Sequence, residues 1–208
     1  MKLFLYSSYV ISTEHSVALS RLVGKAPKDI TFAAIENAAD VIADSKAWVA
    51  ESRDSLKSQD SQVEVVDLRN WRDNRVGLRE KLASKDVIWL CGGHGFYLRW
   101  ILRETGADDI IKELVKQGKV YAGWSAGAVV AGPTLQYFEI FDDPKDAPEV
   151  IWDGLNLTNV VVVPHIDLEE FAEGMQKINQ QLKQAGHTTV PLGEAQALII
   201  NGEEQKVI

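Results

Sequence analysis

Cysteine is nearly missing from this chain: Cys91 is the single one among 208 residues. One cysteine cannot close an intramolecular disulfide and argues against a zinc cluster, so neither staple is expected in the fold. Long apolar runs are missing too. The stretch after Lys2 is a few residues long, against about 7–15 for a secretory core and about 20 for a membrane span. The chain therefore reads as cytoplasmic, with no membrane partner. Positive charge is in deficit: 22 Lys and Arg face 30 Asp and Glu, for a formal net charge of -8. Nucleic acids and anionic lipid surfaces both demand clustered Lys and Arg, so neither is an expected partner. Repeats, low-complexity tracts and long charge blocks are absent, and one domain is expected over residues 1–208.

What is present is an alternation of short apolar runs with longer amphipathic ones. Strands are expected at Lys2–Ser7, Ile30–Ile35, Glu64–Leu68, Asp86–Cys91, Lys119–Gly123, Val160–Pro164 and Thr188–Leu192. Helices are expected at Glu14–Val23, from about Ala38 to Leu56, around Gly77–Ala83, and at Asp108–Gln117 and Leu168–Gln184. Strands apolar on both faces and separated by helices imply a mainly parallel sheet covered on both sides, a doubly wound α/β sandwich. Ligands in such sheets bind at the carboxyl ends of strands, so those ends carry the search for chemistry.

Two ends stand out. Cys91-Gly92-Gly93-His94-Gly95 can turn sharply and expose backbone N–H groups. Alone it reads first as an ordinary strand-to-helix turn, and it lacks the dinucleotide spacing. The second end, Gly123-Trp124-Ser125-Ala126-Gly127-Ala128, fits the Gly-x-Ser-x-Gly nucleophile elbow. A serine on such a strained turn tolerates only small residues two before and two after it, and Gly123 and Gly127 meet that demand. The Ala126 N–H, at a helix start, would then face a developing oxyanion.

A nucleophilic serine needs a base and an acid that orients it. Among four histidines, His165 ranks first because it follows the buried strand Val160–Pro164. His94 ranks second and His187 third, ahead of His15. Asp142, Asp143, Asp153, Asp167 and Glu194 are the candidate acids, and Glu194 again follows a strand end. A competing esterase order of serine, acid, histidine would run through Asp153 or Asp167 to His187. A non-catalytic ligand-binding protein on the same scaffold is a further alternative. Cys91, ending an apolar strand, reads as a buried small hydrophobe.

These residues together resemble the peptidase E family, the aspartyl-dipeptidase-like serine peptidases of family S51. The resemblance runs through Gly92-Gly93-His94, the Gly123–Ala128 hexapeptide, Val163-Pro164-His165 and Gly193-Glu194, and it is densest from Val87 to Gly132. It implies a class I glutamine amidotransferase-like, flavodoxin-like sandwich with serine in place of cysteine as nucleophile. It also implies hydrolysis of short peptides without metal or cofactor, with Ser125 as nucleophile, His165 as base and Glu194 as third member. Asp143 is the alternative third member. The oxyanion would meet the N–H groups of Ala126 and of the Gly92–Gly93 turn, with His94 beside them.

Two departures from the family pattern bear on specificity. The family usually has Asn where His94 stands. It also uses an arginine after the histidine to read a substrate aspartate, whereas no arginine follows Arg103 here. Specificity for an N-terminal Asp is therefore not expected. Asp167, Glu169 and Glu170 read first as the acidic, solvated start of a helix and second as a seat for a substrate α-amino group. Six tryptophans leave room for an apolar interface between two copies, so a homodimer is among the expected states.

Overall fold

The computed structural model describes residues 1–58 and 60–208. Five parallel strands belong to a seven-stranded sheet: β1 (Lys2–Tyr6), β2 (Thr31–Ile35), β3 (Gln62–Val65), β4 (Val87–Leu90) and β5 (Val120–Trp124). A C-terminal hairpin of β8 (Ala197–Asn201) and β9 (Glu204–Val207) adds antiparallel strands beside β1, giving the order β3-β2-β4-β5-β1-β8-β9. The remaining strands, β6 (Val160–Val163) and β7 (Thr188–Pro191), pair parallel in a sheet of their own. The architecture is thus the α/β sandwich with a mainly parallel sheet that the strand pattern implies. Every residue of β4 and β5 is buried, as strands covered on both faces require.

Seven helices flank the sheets among the described residues. They are α1 (Thr13–Val23), α2 (Lys46–Lys57), α3 (Arg75–Ala83), α4 (Gly95–Glu104), α5 (Ala107–Lys116), the single-turn α6 (Ala126–Val129) and α7 (Glu169–Gln184). Their apolar stripes close the core; in α5, Ile110, Ile111, Leu114 and Val115 are all buried. Between α4 and α5, Arg99 is buried but compensated. Its guanidinium donates to the Asp153 carbonyl at 2.8 Å and to Asp108 at 3.1 Å, which removes the penalty of a lone buried charge.

Three sequence expectations change. The helix expected from Ala38 to Leu56 is instead a 3-10 turn at Asn37–Ala39, an irregular stretch, and α2. Asn37 is buried, and its side-chain amide bonds to Asp40, to Asp67 and to the Leu68 N–H, while Asp44 takes a left-handed φ of 56°. Long-range polar bonds thus outcompete the helix. The strand expected at Glu64–Leu68 ends at Val65, and Leu68 opens a 3-10 turn. The run Val160–Pro164 does form a strand, but not in the main sheet, because β8 occupies the place beside β1.

Candidate active site

Five carboxyl strand ends supply the polar groups. They deliver Ser7 after β1, the Gly92–Gly93 turn after β4, Ser125 after β5, His165 after β6 and Glu194 after β7. Ser125 has φ 48° and ψ -119°, a conformation non-glycine residues rarely hold and one that costs about 1–3 kcal/mol. The surroundings enforce it. The Ser125 N–H donates to the Tyr6 carbonyl at 3.1 Å, and the Ser125 carbonyl accepts from Ala128 and Val129. A Cβ at Gly127 would fall on the Leu90 carbonyl oxygen, so only glycine lets α6 sit this close to β4. The buried Tyr121 hydroxyl donates to the Gly127 carbonyl at 2.6 Å and locks the turn from below.

His165 Nε2 lies 3.0 Å from Ser125 Oγ, and its Nδ1 lies 2.6 Å from Glu194 Oε2. A carboxylate only accepts, so Nδ1 carries the ring proton and Nε2 is left to accept from the Ser125 hydroxyl. Burial pushes the Glu194 carboxyl up, but hydrogen bonds and charge from His165, with help from Ser7 and Ser8, outweigh it. The group ends below the usual glutamate value and stays ionised. Phe171 packs on the His165 ring with centroids 5.4 Å apart.

Two further residues hold this pair. Ser7 is fully buried; its Oγ accepts the His165 backbone N–H at 2.8 Å and donates to Glu194 Oε2 at 3.3 Å. Asp167 Oδ1 accepts the Glu194 backbone N–H at 2.7 Å and so fixes the loop after β7. Asp167 stands in the sequence as a candidate acid for the histidine, and the structure gives it the Glu194 backbone instead. Sequence reasoning missed Ser7, although the signal that singled out the other groups, a polar residue at a carboxyl strand end, applies to it equally.

The other sequence candidates are distributed differently. Gly93, with φ 132°, lines the cleft, and among the described residues no acceptor takes its N–H or that of Ala126. Gly92 is buried behind it, against the Trp124 ring and Ser125. His94 is turned away from the cleft: Nδ1 accepts the Tyr97 N–H at 3.1 Å as the cap of α4, and Nε2 donates to the Asp143 carbonyl at 3.0 Å. The Asp143 carboxylate accepts the Lys145 N–H and is not the partner of His165. Asp142 does reach the cleft, and its Oδ2 accepts the Gly95 N–H at 2.8 Å. Of Asp167, Glu169 and Glu170, only Glu170 lines the cleft.

His187 precedes β7, whereas His165 follows the parallel strand β6, so the two histidines lie at opposite ends of that sheet. This removes the esterase order that runs through His187. His15 is buried between Phe4 and Tyr6, which lowers its pKa by desolvation. Cys91 is buried and its thiol is pushed far above its ordinary value by desolvation, as suits a structural residue. No helix among the described residues is long and apolar enough to cross a membrane.

Comparison with known proteins identifies the family of this chain. The family model for peptidase family S51 matches residues 4–208. An uncharacterized peptidase of Listeria monocytogenes is 33% identical over 159 residues, 76% of each chain. One of Pasteurella multocida is 31% identical over 180 residues, covering 85% of this chain and 83% of the other. Peptidase E of Escherichia coli is 36% identical over 84 residues, 40% of this chain and 35% of that protein. The crystal structure of a candidate peptidase E from Listeria monocytogenes superposes with a TM-score of 0.85 at 29% identity, covering 100% of this chain and 97% of the other. Its flavodoxin-like fold is the fold of this chain. With a match that spans nearly every residue, the chain belongs to peptidase family S51.

Proposed function

We propose that this peptidase is a serine-type enzyme that hydrolyses short peptides through an acyl-enzyme formed on Ser125. The observation that carries the reading is the unbroken line from Ser125 Oγ to His165 Nε2 at 3.0 Å and from Nδ1 to Glu194 at 2.6 Å, set on a strained elbow.

In the first half-reaction His165 Nε2 takes the Ser125 proton as Oγ bonds to the peptide carbonyl carbon. The carbonyl electron pair moves onto oxygen, and the N–H groups of Ala126 and Gly93 receive the oxyanion. One such donor is typically worth about 3–4 kcal/mol in the transition state. Collapse breaks the C–N bond, and His165 gives its proton to the departing amine. Water then attacks the ester carbon, His165 takes its proton, and collapse frees the acid and returns a proton to Ser125. Glu194 holds the ring tautomer throughout and stabilises the imidazolium. Ser7 and Asp167 act as positioning residues.

The cleft has a volume of about 680 Å3, which suits a peptide of a few residues rather than a folded protein. A library of dipeptides and capped peptides, read by mass spectrometry, tests the proposal. Wild type should release amino acids from some members, and Ser125→Ala should fall at least about 10³-fold below it. Turnover preserved in Ser125→Ala would remove the serine from the mechanism.

A further inference from the structure

The walls of the cleft are strongly aromatic. Trp48, Phe96, Trp124, Phe138, Phe141 and Phe171 face it, with Leu168 and Met175 beside them. Two ring pairs, Trp48–Trp124 at 5.6 Å and Phe141–Phe171 at 5.2 Å, pack within these walls. The acidic groups that line it are Asp142, Glu170 and Glu194, and no lysine or arginine does so among the described residues. Glu194 is occupied by His165 and Ser7.

Asp142 is different. Its Oδ2 accepts the Gly95 N–H, while its Oδ1 has no donor among the described residues. Burial pushes this carboxyl above its usual value, and a cation beside it would offset that cost by favouring the ionised form. Gly95 lies two residues past Gly93, whose N–H is the proposed oxyanion donor, so the Asp142 carboxylate is bonded to the segment that carries that donor, and both line the same cleft. In a peptide with a free amino terminus, the ammonium and the first carbonyl are likewise attached to one carbon.

Resting on the serine-peptidase reading above, we propose that the cleft takes a short peptide with a free α-amino group and a large apolar first residue. Asp142 receives the ammonium, and the aromatic walls receive the side chain. The carbonyl attacked is that of the first residue, so the enzyme removes one apolar residue from the amino end. An aspartate side chain finds no cation in this cleft and three carboxylates in its walls.

Diphenyl phosphonate analogues of single amino acids test this without a leaving peptide, because they report the acyl site alone. The rate of Ser125 labelling is measured with the free-amine phenylalanine analogue, its N-acetyl form, and the free-amine aspartate and lysine analogues. A generic fluorophosphonate serves as control. Wild type should favour free over acetylated phenylalanine by about 10- to 100-fold, the range of a charged hydrogen bond. It should favour phenylalanine over aspartate by at least as much. Asp142→Asn keeps an oxygen for the Gly95 N–H and should shrink the free-to-acetylated ratio to below about threefold.

Equal labelling by the free and acetylated forms overturns the ammonium site, and that arm needs only wild type. Aspartate or lysine analogues reacting as fast as phenylalanine overturn the apolar preference. Either failure, with fluorophosphonate still labelling Ser125, leaves the serine-peptidase reading intact. Failure of fluorophosphonate as well overturns both.

Discussion

Ser7 and His165 are joined twice: the His165 backbone N–H donates to Ser7 Oγ at 2.8 Å, and the same oxygen lies 3.3 Å from Nδ1 of the ring. One buried hydroxyl at the end of β1 therefore sets both the backbone and the ring of a residue that follows β6 in a different sheet. The strain is visible, since His165 holds a φ of 58°. Because β6 does not pair with the main sheet, this bond is a direct tether between the two sheets at the site.

Removing that hydroxyl should misplace the base without emptying the cleft. Ser7→Ala leaves the buried His165 N–H unpaired, at a cost of about 1–3 kcal/mol. The expected result is a kcat lowered by about 10- to 100-fold with KM changed far less, the mark of lost positioning. Steady-state kinetics on the best peptide substrate separates the two. A raised KM at unchanged kcat would place Ser7 in substrate binding instead.

Glu194 and Asp143 make opposite predictions. Glu194→Gln keeps the size of the side chain but loses the charge that stabilises the imidazolium, and should lower kcat by about 10²- to 10⁴-fold. Asp143→Asn touches only the turn at Lys145, and activity should stay within about threefold of wild type. Parallel kinetics on the two variants checks the order. A reversal would hand the orienting role to Asp143.

Gly127→Ala should damage the elbow by packing rather than by chemistry. The added methyl meets the Leu90 carbonyl oxygen, which is backbone and cannot swing aside. Overpacking of this kind costs about 1–3 kcal/mol. Urea unfolding should show a lower midpoint, and labelling of Ser125 should slow because its φ relaxes. An unchanged midpoint would mean that α6 can move away from β4.

Much of this was legible in the sequence for physical reasons. β4 and β5 announce themselves because a strand covered on both faces must be apolar throughout, and the elbow does so because its sterics admit only small residues at 123 and 127. The helix between Ala38 and Leu56 was not legible, because Asn37 is held by Asp67 and Leu68, some thirty residues away. The separate sheet of β6 and β7 was hidden for a similar reason. Apolar periodicity reports that a strand is buried, not which neighbour it pairs with. The antiparallel hairpin went unread although Gly202, with φ 66°, stands first in its two-residue turn, where such glycines are favoured. His94 misled because a histidine inside a glycine turn reads as chemistry, whereas both ring nitrogens are spent on capping α4 and holding residue 143.

The central claim is that Ser125 is the nucleophile, and intact-mass analysis after treatment with a fluorophosphonate tests it most directly. Wild type should gain one adduct that maps to Ser125, and Ser125→Ala, with an unchanged circular dichroism spectrum, should gain none. Equal labelling of the two proteins, or an adduct mapped to another residue in wild type, would contradict the account.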